Sequence, residues 1–212
     1  PPQSEERRGL VEEKFGTLPA LAIGYHAPKR RTADWHALAM VDQALHGGRA
    51  GRMFRSLVHD KQIAVETSGG IHFPMGDVFD YNGPMLLVTT IMHKPECLVD
   101  ETIAAYDAVI REVQEKGIAA DELAPLKVKF RSDYYSTLEA GMGGYMPRFG
   151  LMHYLACFTL FDDDPTLVNS ILDGFLDVTP AQAQSAAQKY LVRTNRAIVE
   201  RRPVPHVAKG AA

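Results

Sequence analysis

The chain has 212 residues, 46% hydrophobic and 23% charged, with a formal net charge of −3. This is the composition of an ordinary globular protein, one large domain or two small ones, long enough to bury a sizeable core. There is no basic field of the kind that neutralises phosphates, which counts against nucleic acid as the main partner, and the longest apolar stretches, such as Met85 to Met92, stop well short of the roughly 20 residues a bilayer-spanning helix needs.

The sequence opens with Pro1 and Pro2 and the polar run Gln3 to Arg8, with no charged-then-apolar signal segment. It reads as an excised or processed piece with residues 1–6 as a linker. Strand-like runs follow at 9–15 and 20–27, separated by Gly16, Thr17, Leu18 and Pro19, and they suggest an opening hairpin or meander. Thr32 or Asp34 can cap a helix in which Trp35, Leu38, Ala39, Val41, Asp42 and Leu45 recur at helical spacing, and Gly47-Gly48 stops it. A short helix over 50–59 carries Met53, Phe54 and Leu57 on one face.

Strand patterns over 63–73 and 84–92 come next, with Gly69-Gly70 suggesting a bulge or bend and Asn82-Gly83 a turn. Helical patterns occupy 97–116, ended by Gly117, and 120–138, with Asp121 as cap and Pro125 in the first turn. Gly141, Gly143, Gly144 and Pro147 form a break before an apolar helix over 149–158. Asp162 to Pro165 opens a short helix holding Leu167, Ile171, Leu172 and Phe175, and Thr179-Pro180 caps another over 181–191. Residues 197–200 form a last strand before a loose tail at 203–212. The order implies an α+β fold: an antiparallel-rich mixed sheet with helices packed on one face.

Motifs that carry chemistry are sparse. Zinc hydrolysis needs clustered imidazole or carboxylate ligands and a carboxylate base, and neither H-E-x-x-H nor H-x-x-E-H occurs. The eight histidines (His26, His36, His46, His59, His72, His93, His153 and His206) are scattered singly, and they read as surface, strand-end or satisfied core residues, leaving no metal ligands. Gly47 to Arg52 leads into a helix but lacks the Lys-Ser/Thr of a phosphate loop, so a tight helix-to-helix turn is the simpler reading. There is no G-x-S-x-G, and neither Cys97 nor Cys157 sits in a nucleophile motif, so no catalytic residue is assigned. Asp162, Asp163 and Asp164 precede Pro165, where acidic residues complement a helix N-terminus better than they suggest a calcium site. Tyr134, Tyr135, Tyr145, Phe149 and Tyr154 fit core-facing helix positions better than a peptide-binding wall.

The ordered pieces resemble a homology unit of the pitrilysin/insulinase family of zinc metallopeptidases. Residues 21–28 (LAIGYHAP) and 35–57 (WHALAMVDQALHGGRAGRMFRSL) resemble its opening strand, long helix, Gly-Gly turn and short helix. Asp121-Glu122-Leu123 with Lys127 is similar to a later helix of the family, and residues 163–199 to its closing passage, so the likeness covers about 7–202. The resemblance implies the second, non-catalytic unit of a bacterial subunit, whose first unit carries H-x-x-E-H. It implies zinc in that missing N-terminal unit or a partner and none in this chain, a role in the peptide chamber wall and in the interface with the zinc-bearing half, a hetero- or homodimer, and a periplasmic or otherwise extracytoplasmic location. An Arg/Tyr pair that helps hold substrate in the family falls here on Val58 and Val65, which cannot donate hydrogen bonds. The alternative is a domain of a zinc-free structural or assembly subunit. An unrelated small-molecule binder would instead need a deep closed pocket.

Overall fold

The computed structural model describes residues 3–14, 16–140 and 148–204. Five strands form one sheet: β1 (Arg7–Glu13), β2 (Ala20–His26), β3 (Ala64–Ile71), β4 (Leu86–His93) and β5 (Arg196–Pro203), in the order β1-β5-β2-β4-β3. Among the described residues only the β1–β5 pairing is parallel, so the sheet is antiparallel-rich and mixed as its sequence pattern implies.

The helices are α1 (Ala33–His46), α2 (Val99–Lys116), α3 (Ala120–Glu139), α4 (Phe149–Asp162), the single turn α5 (Asp173–Leu176) and α6 (Pro180–Tyr190). A π-helix over Phe54–Asp60 and short 3-10 turns join them.

Alternation of residue character fixes which sheet face is covered. Leu21, Ile23 and Tyr25 of β2, with Leu87, Thr89 and Ile91 of β4, point under the helices and are buried. Ala20, Ala22, Val88, Thr90 and Met92 lie between them on the other face and stay partly exposed. Helix α1 is the centre of the helical layer, packing on β3, α3, α5 and α6. Its Trp35, Leu38, Met40, Val41 and Leu45 are fully buried, each aliphatic side chain contributing about 1.5–3 kcal/mol relative to exposure.

A buried polar chain ties α1 to the sheet. Asp42 accepts the Ile71 backbone N–H at 3.2 Å and meets His46 Nδ1 at 2.7 Å. His46 Nε2 is 2.8 Å from Thr89 Oγ1, which lies 3.4 Å from the Tyr106 hydroxyl of α2. Each group is a satisfied core polar, which is the condition for burying it at modest cost. Gly69 is required beneath this chain, because a Cβ there would fall 2.7 Å from the His46 ring and 2.5 Å from the Val88 carbonyl.

Four local expectations change. The first two strands are not a hairpin, since β5 inserts between them. The connection after Glu13, ending at Pro19, is longer than a tight two-residue turn and can step over one strand. The irregularity in β3 lies at Val65, between Ala64 and Glu66, and not at Gly69-Gly70, which stay in register with Thr89 and Val88. Ala119, not Asp121, occupies the N-cap of α3, and Asp121 lies in the first turn. Pro125 lies inside α3 beyond its first turn, where the helix continues through it to Glu139.

The acidic triplet also divides. Asp164 does cap the turn Pro165–Asn169, accepting from Thr166 N at 2.9 Å. Asp163 ends α4 in a left-handed conformation. Asp162 is buried and paired with Arg30, Nη2 to Oδ2 at 2.7 Å, while Arg30 also donates to the Phe79 carbonyl at 2.8 Å. A carboxylate needed by a buried guanidinium cannot be a solvated helix cap. The break at Gly141 to Pro147, with Tyr145, and the end of the tail, with His206, lie outside the described residues.

Candidate functional site

The connection between β3 and β4 is folded by its own carboxylates: Asp77 N donates to Asp80 Oδ2 at 3.0 Å, and Phe79 N donates to Asp77 Oδ1 at 2.7 Å. This Asx-type turn presses Phe79 into an aromatic cluster with Trp35, Phe130, Tyr134, Tyr154, Phe158 and Phe175. Tyr134 and Tyr154 are therefore core, as their helical spacing implies, while Tyr135 is exposed and Phe149 half-buried.

The other side of the same turn meets α4. Tyr154 donates to Asp77 Oδ2 at 2.6 Å, and His153 Nε2 lies 2.6 Å from Asp80 Oδ1. One helical turn on, Cys157 Sγ is 3.7 Å from His153 Nε2 and 3.9 Å from Asp80 Oδ1. A cavity of about 250 Å³ adjoins this group, with Asp77, Tyr154, Asp42 and Gly70 among its walls.

Burial, then the negative charge of Asp80, raises the Asp77 carboxyl above its ordinary range despite the Tyr154 hydrogen bond. Burial and the same carboxylate push the Cys157 thiol up to about 11. A thiol held protonated in this way is a poor nucleophile at neutral pH. The geometry excludes a Cys-His-Asp triad as well, because Asp80 and Cys157 both face the same ring nitrogen, whereas a triad needs the acid on one nitrogen and the nucleophile on the other.

His153 thus departs from the expectation of scattered, unclustered histidines. The sequence signal was present as H-x-x-x-C, one helical turn in α4, but its acidic third member comes from a distant loop. His46, by contrast, is a satisfied core histidine. Cys97 and Cys157 are both free thiols and do not pair.

The remaining positions do not gather into a site. Val58 is half-buried on the π-helix and packs against the core, while Val65 is exposed at the bulge of β3. Arg52, after the Gly47-Gly48 turn, bonds Glu122 Oε1 at 2.9 Å and the Gly117 carbonyl at 3.2 Å, which fits a tight helix-to-helix turn.

The second surface feature is the sheet face on which no described helix packs, where a cleft of about 500 Å³ is lined by Val11, Ala22, Thr90, Met92, Val199 and Arg201 among others. No described helix is long and apolar enough to cross a membrane.

Comparison with known proteins agrees with this architecture. The sequence pattern of the peptidase M16 inactive domain matches residues 1–128. No curated protein matches the chain. Among solved structures, a protease from Helicobacter pylori superposes with a TM-score of 0.80 at 20% identity, over 96% of this chain and 46% of that one. The inactive peptidase domain of a candidate zinc protease from Bordetella parapertussis gives 0.74 at 21% identity, over 93% and 98%. The periplasmic protease PqqL from Escherichia coli gives 0.67 at 15%, over 95% and 21%. The chain therefore spans about half the length of the Helicobacter protein. With a matching pattern over more than half of its residues and the corresponding fold, the chain belongs to the peptidase M16 family, as an inactive domain.

Proposed function

We propose that this chain is the non-catalytic C-terminal half of a bacterial zinc metalloendopeptidase subunit, and that the open face of its sheet forms part of a peptide chamber wall. The observation that carries this reading is the sheet face left uncovered by the described residues, where apolar Val11, Ala22, Met92 and Val199 line a broad cleft. A one-sided sheet with an apolar outer face calls for a partner or ligand against it. Catalytic zinc is assigned to the other half, because this sequence holds no H-x-x-E-H to activate water. Val58 and Val65 have no side-chain donor, so polar contacts to substrate come from elsewhere in the assembly. The periplasm is the proposed compartment, by analogy with the PqqL relative.

The test is to supply the zinc-bearing half as a separate chain, mix the two, and follow association by sedimentation and cleavage of a peptide library. Association with a gain in cleavage supports the reading. A zinc-bearing half fully active alone, with neither association nor a rate change on mixing, refutes the chamber-wall role. A partner half without H-x-x-E-H would instead make this a domain of a zinc-free assembly subunit.

A further inference from the structure

Asp80, from the β3–β4 connection, and His153 and Cys157, from α4, bring a carboxylate oxygen, an imidazole nitrogen and a sulfur within 4.8 Å of one another. We propose that these three side chains form a zinc-binding site, with water as the fourth ligand, that clamps the β3–β4 connection onto α4. It is separate from the catalytic zinc of the other half and does not depend on the chamber reading.

The spacing is close to what a tetrahedral ion requires. Bonds of about 2.0–2.3 Å place neighbouring ligand atoms roughly 3.3–3.6 Å apart. The sulfur stands at 3.7 Å from His153 Nε2 and 3.9 Å from Asp80 Oδ1, already near those values. Only the 2.6 Å contact between Asp80 Oδ1 and His153 Nε2 has to open. Rotation of the partly exposed His153 ring about its terminal torsion, which is broad and soft, supplies that movement while Asp80 keeps its bond from the Asp77 N–H.

All three donor atoms converge on one point, and this is the feature that ruled out a nucleophilic triad. The mixed sulfur, nitrogen and oxygen set suits zinc and disfavours magnesium or calcium, which take oxygen ligands. Support around the ligands is already built: Asp80 Oδ2 accepts the Asp77 N–H at 3.0 Å, which orients the carboxylate.

Charge points the same way. The carboxylates of Asp77 and Asp80 lie together beside this group, and their negative field attracts a dication. On binding, the thiol loses its proton to solvent and the sulfur–zinc bond forms. Zinc with one thiolate, one carboxylate and a neutral imidazole is then electrically neutral. Arg30, the nearby cation, is already matched by Asp162. The His153 side chain is 41% exposed, leaving a path for the ion and for the water ligand.

The experiment uses the untagged chain, stripped with a chelator and dialysed against zinc-buffered solution, with metal content measured by atomic emission. One zinc per chain is expected, with a higher melting temperature than the stripped protein. Titration with cobalt should give a thiolate-to-cobalt charge-transfer band in the near ultraviolet. Cys157→Ser should abolish that band, and both Cys157→Ser and His153→Gln should weaken zinc binding at least tenfold. The partly exposed His153 makes the second variant informative even if the first folds poorly. Zinc content at background, or retention unchanged in His153→Gln, would overturn the site. Because the readouts are metal content and a spectrum, this result stands or falls apart from any association with the zinc-bearing half.

Discussion

Replacing Asp162 with Ala should strip a buried cation of its partner. Arg30 and Asp162 have side-chain exposures of only 4% and 3%, and three contacts of 2.7–3.2 Å join the guanidinium to the carboxylate. The guanidinium also lies 5.5 Å over both Trp35 and Phe158, so water cannot readily replace the lost carboxylate. Leaving one member of such a pair unmatched costs about 3–5 kcal/mol, a large share of the roughly 5–15 kcal/mol that stabilises a domain. Urea unfolding reads this directly: with a slope near 3 kcal/mol per molar, the midpoint should fall by about 1–2 M. Added salt should change the loss little, because the pair is shielded from solvent. The double variant Arg30→Met/Asp162→Leu should recover much of the stability, since burying neither charge is cheaper than burying one. A loss of about 1 kcal/mol, the size of a helix-cap effect, would refute the reasoning, as would a double variant no better than Asp162→Ala.

Gly150→Ala should be severe, because a Cβ there would sit 1.7 Å from the Thr137 carbonyl where α4 crosses α3. A loss of about 3 kcal/mol or more is expected from thermal or urea unfolding. Thr179 caps α6 in a reciprocal box with Gln182, so Thr179→Ala should cost about 1 kcal/mol and Thr179→Ser much less. Burial alone would raise the Asp107 carboxyl, but hydrogen bonds from Arg196 and Arg193 outweigh it and hold it below the ordinary range. A depressed carboxyl stabilises the fold above its unfolded value near 4 and loses that contribution as pH falls through its folded value. Melting temperature should therefore drop below about pH 4, less steeply in Asp107→Asn, and an unchanged slope would contradict the assignment.

Local chemistry made much of this fold legible. Thr32 and Thr179 cap the helices their sequence positions imply, because capping is decided within four residues. Gly117 ends α2 with positive φ for the same short-range reason. Period-two burial in β2 and β4 follows directly from their side chains. The cap of α3 and the place of Pro125 are misread locally, but the failures that shape the fold and the site are long-range. Asp162 resembles a cap until Arg30, 132 residues away, is brought against it. The opening strands resemble a hairpin until β5 separates them. At the candidate site, the helical pair His153 and Cys157 was visible, but Asp80 enters from 73 residues away and no local pattern announces it.

The strand order carries a consequence for how this protein is made. Among the described residues, β1 finds its partner only in β5, so Arg7 must wait for Ala197 and Gly9 for Val199. Of the described strands, β1 is synthesised first and β5 last, so β1 waits for its partner while β2, β3, β4 and the helices between them are produced. Sheet closure is thus a late event joining the two ends of the described fold, a long loop to close before its contacts repay the entropy. Until β5 is made, the edge of β1 that carries Leu10 and Val11 lacks its described partner, and an open strand edge is the kind of surface that chaperones cover and that pairs wrongly when they do not.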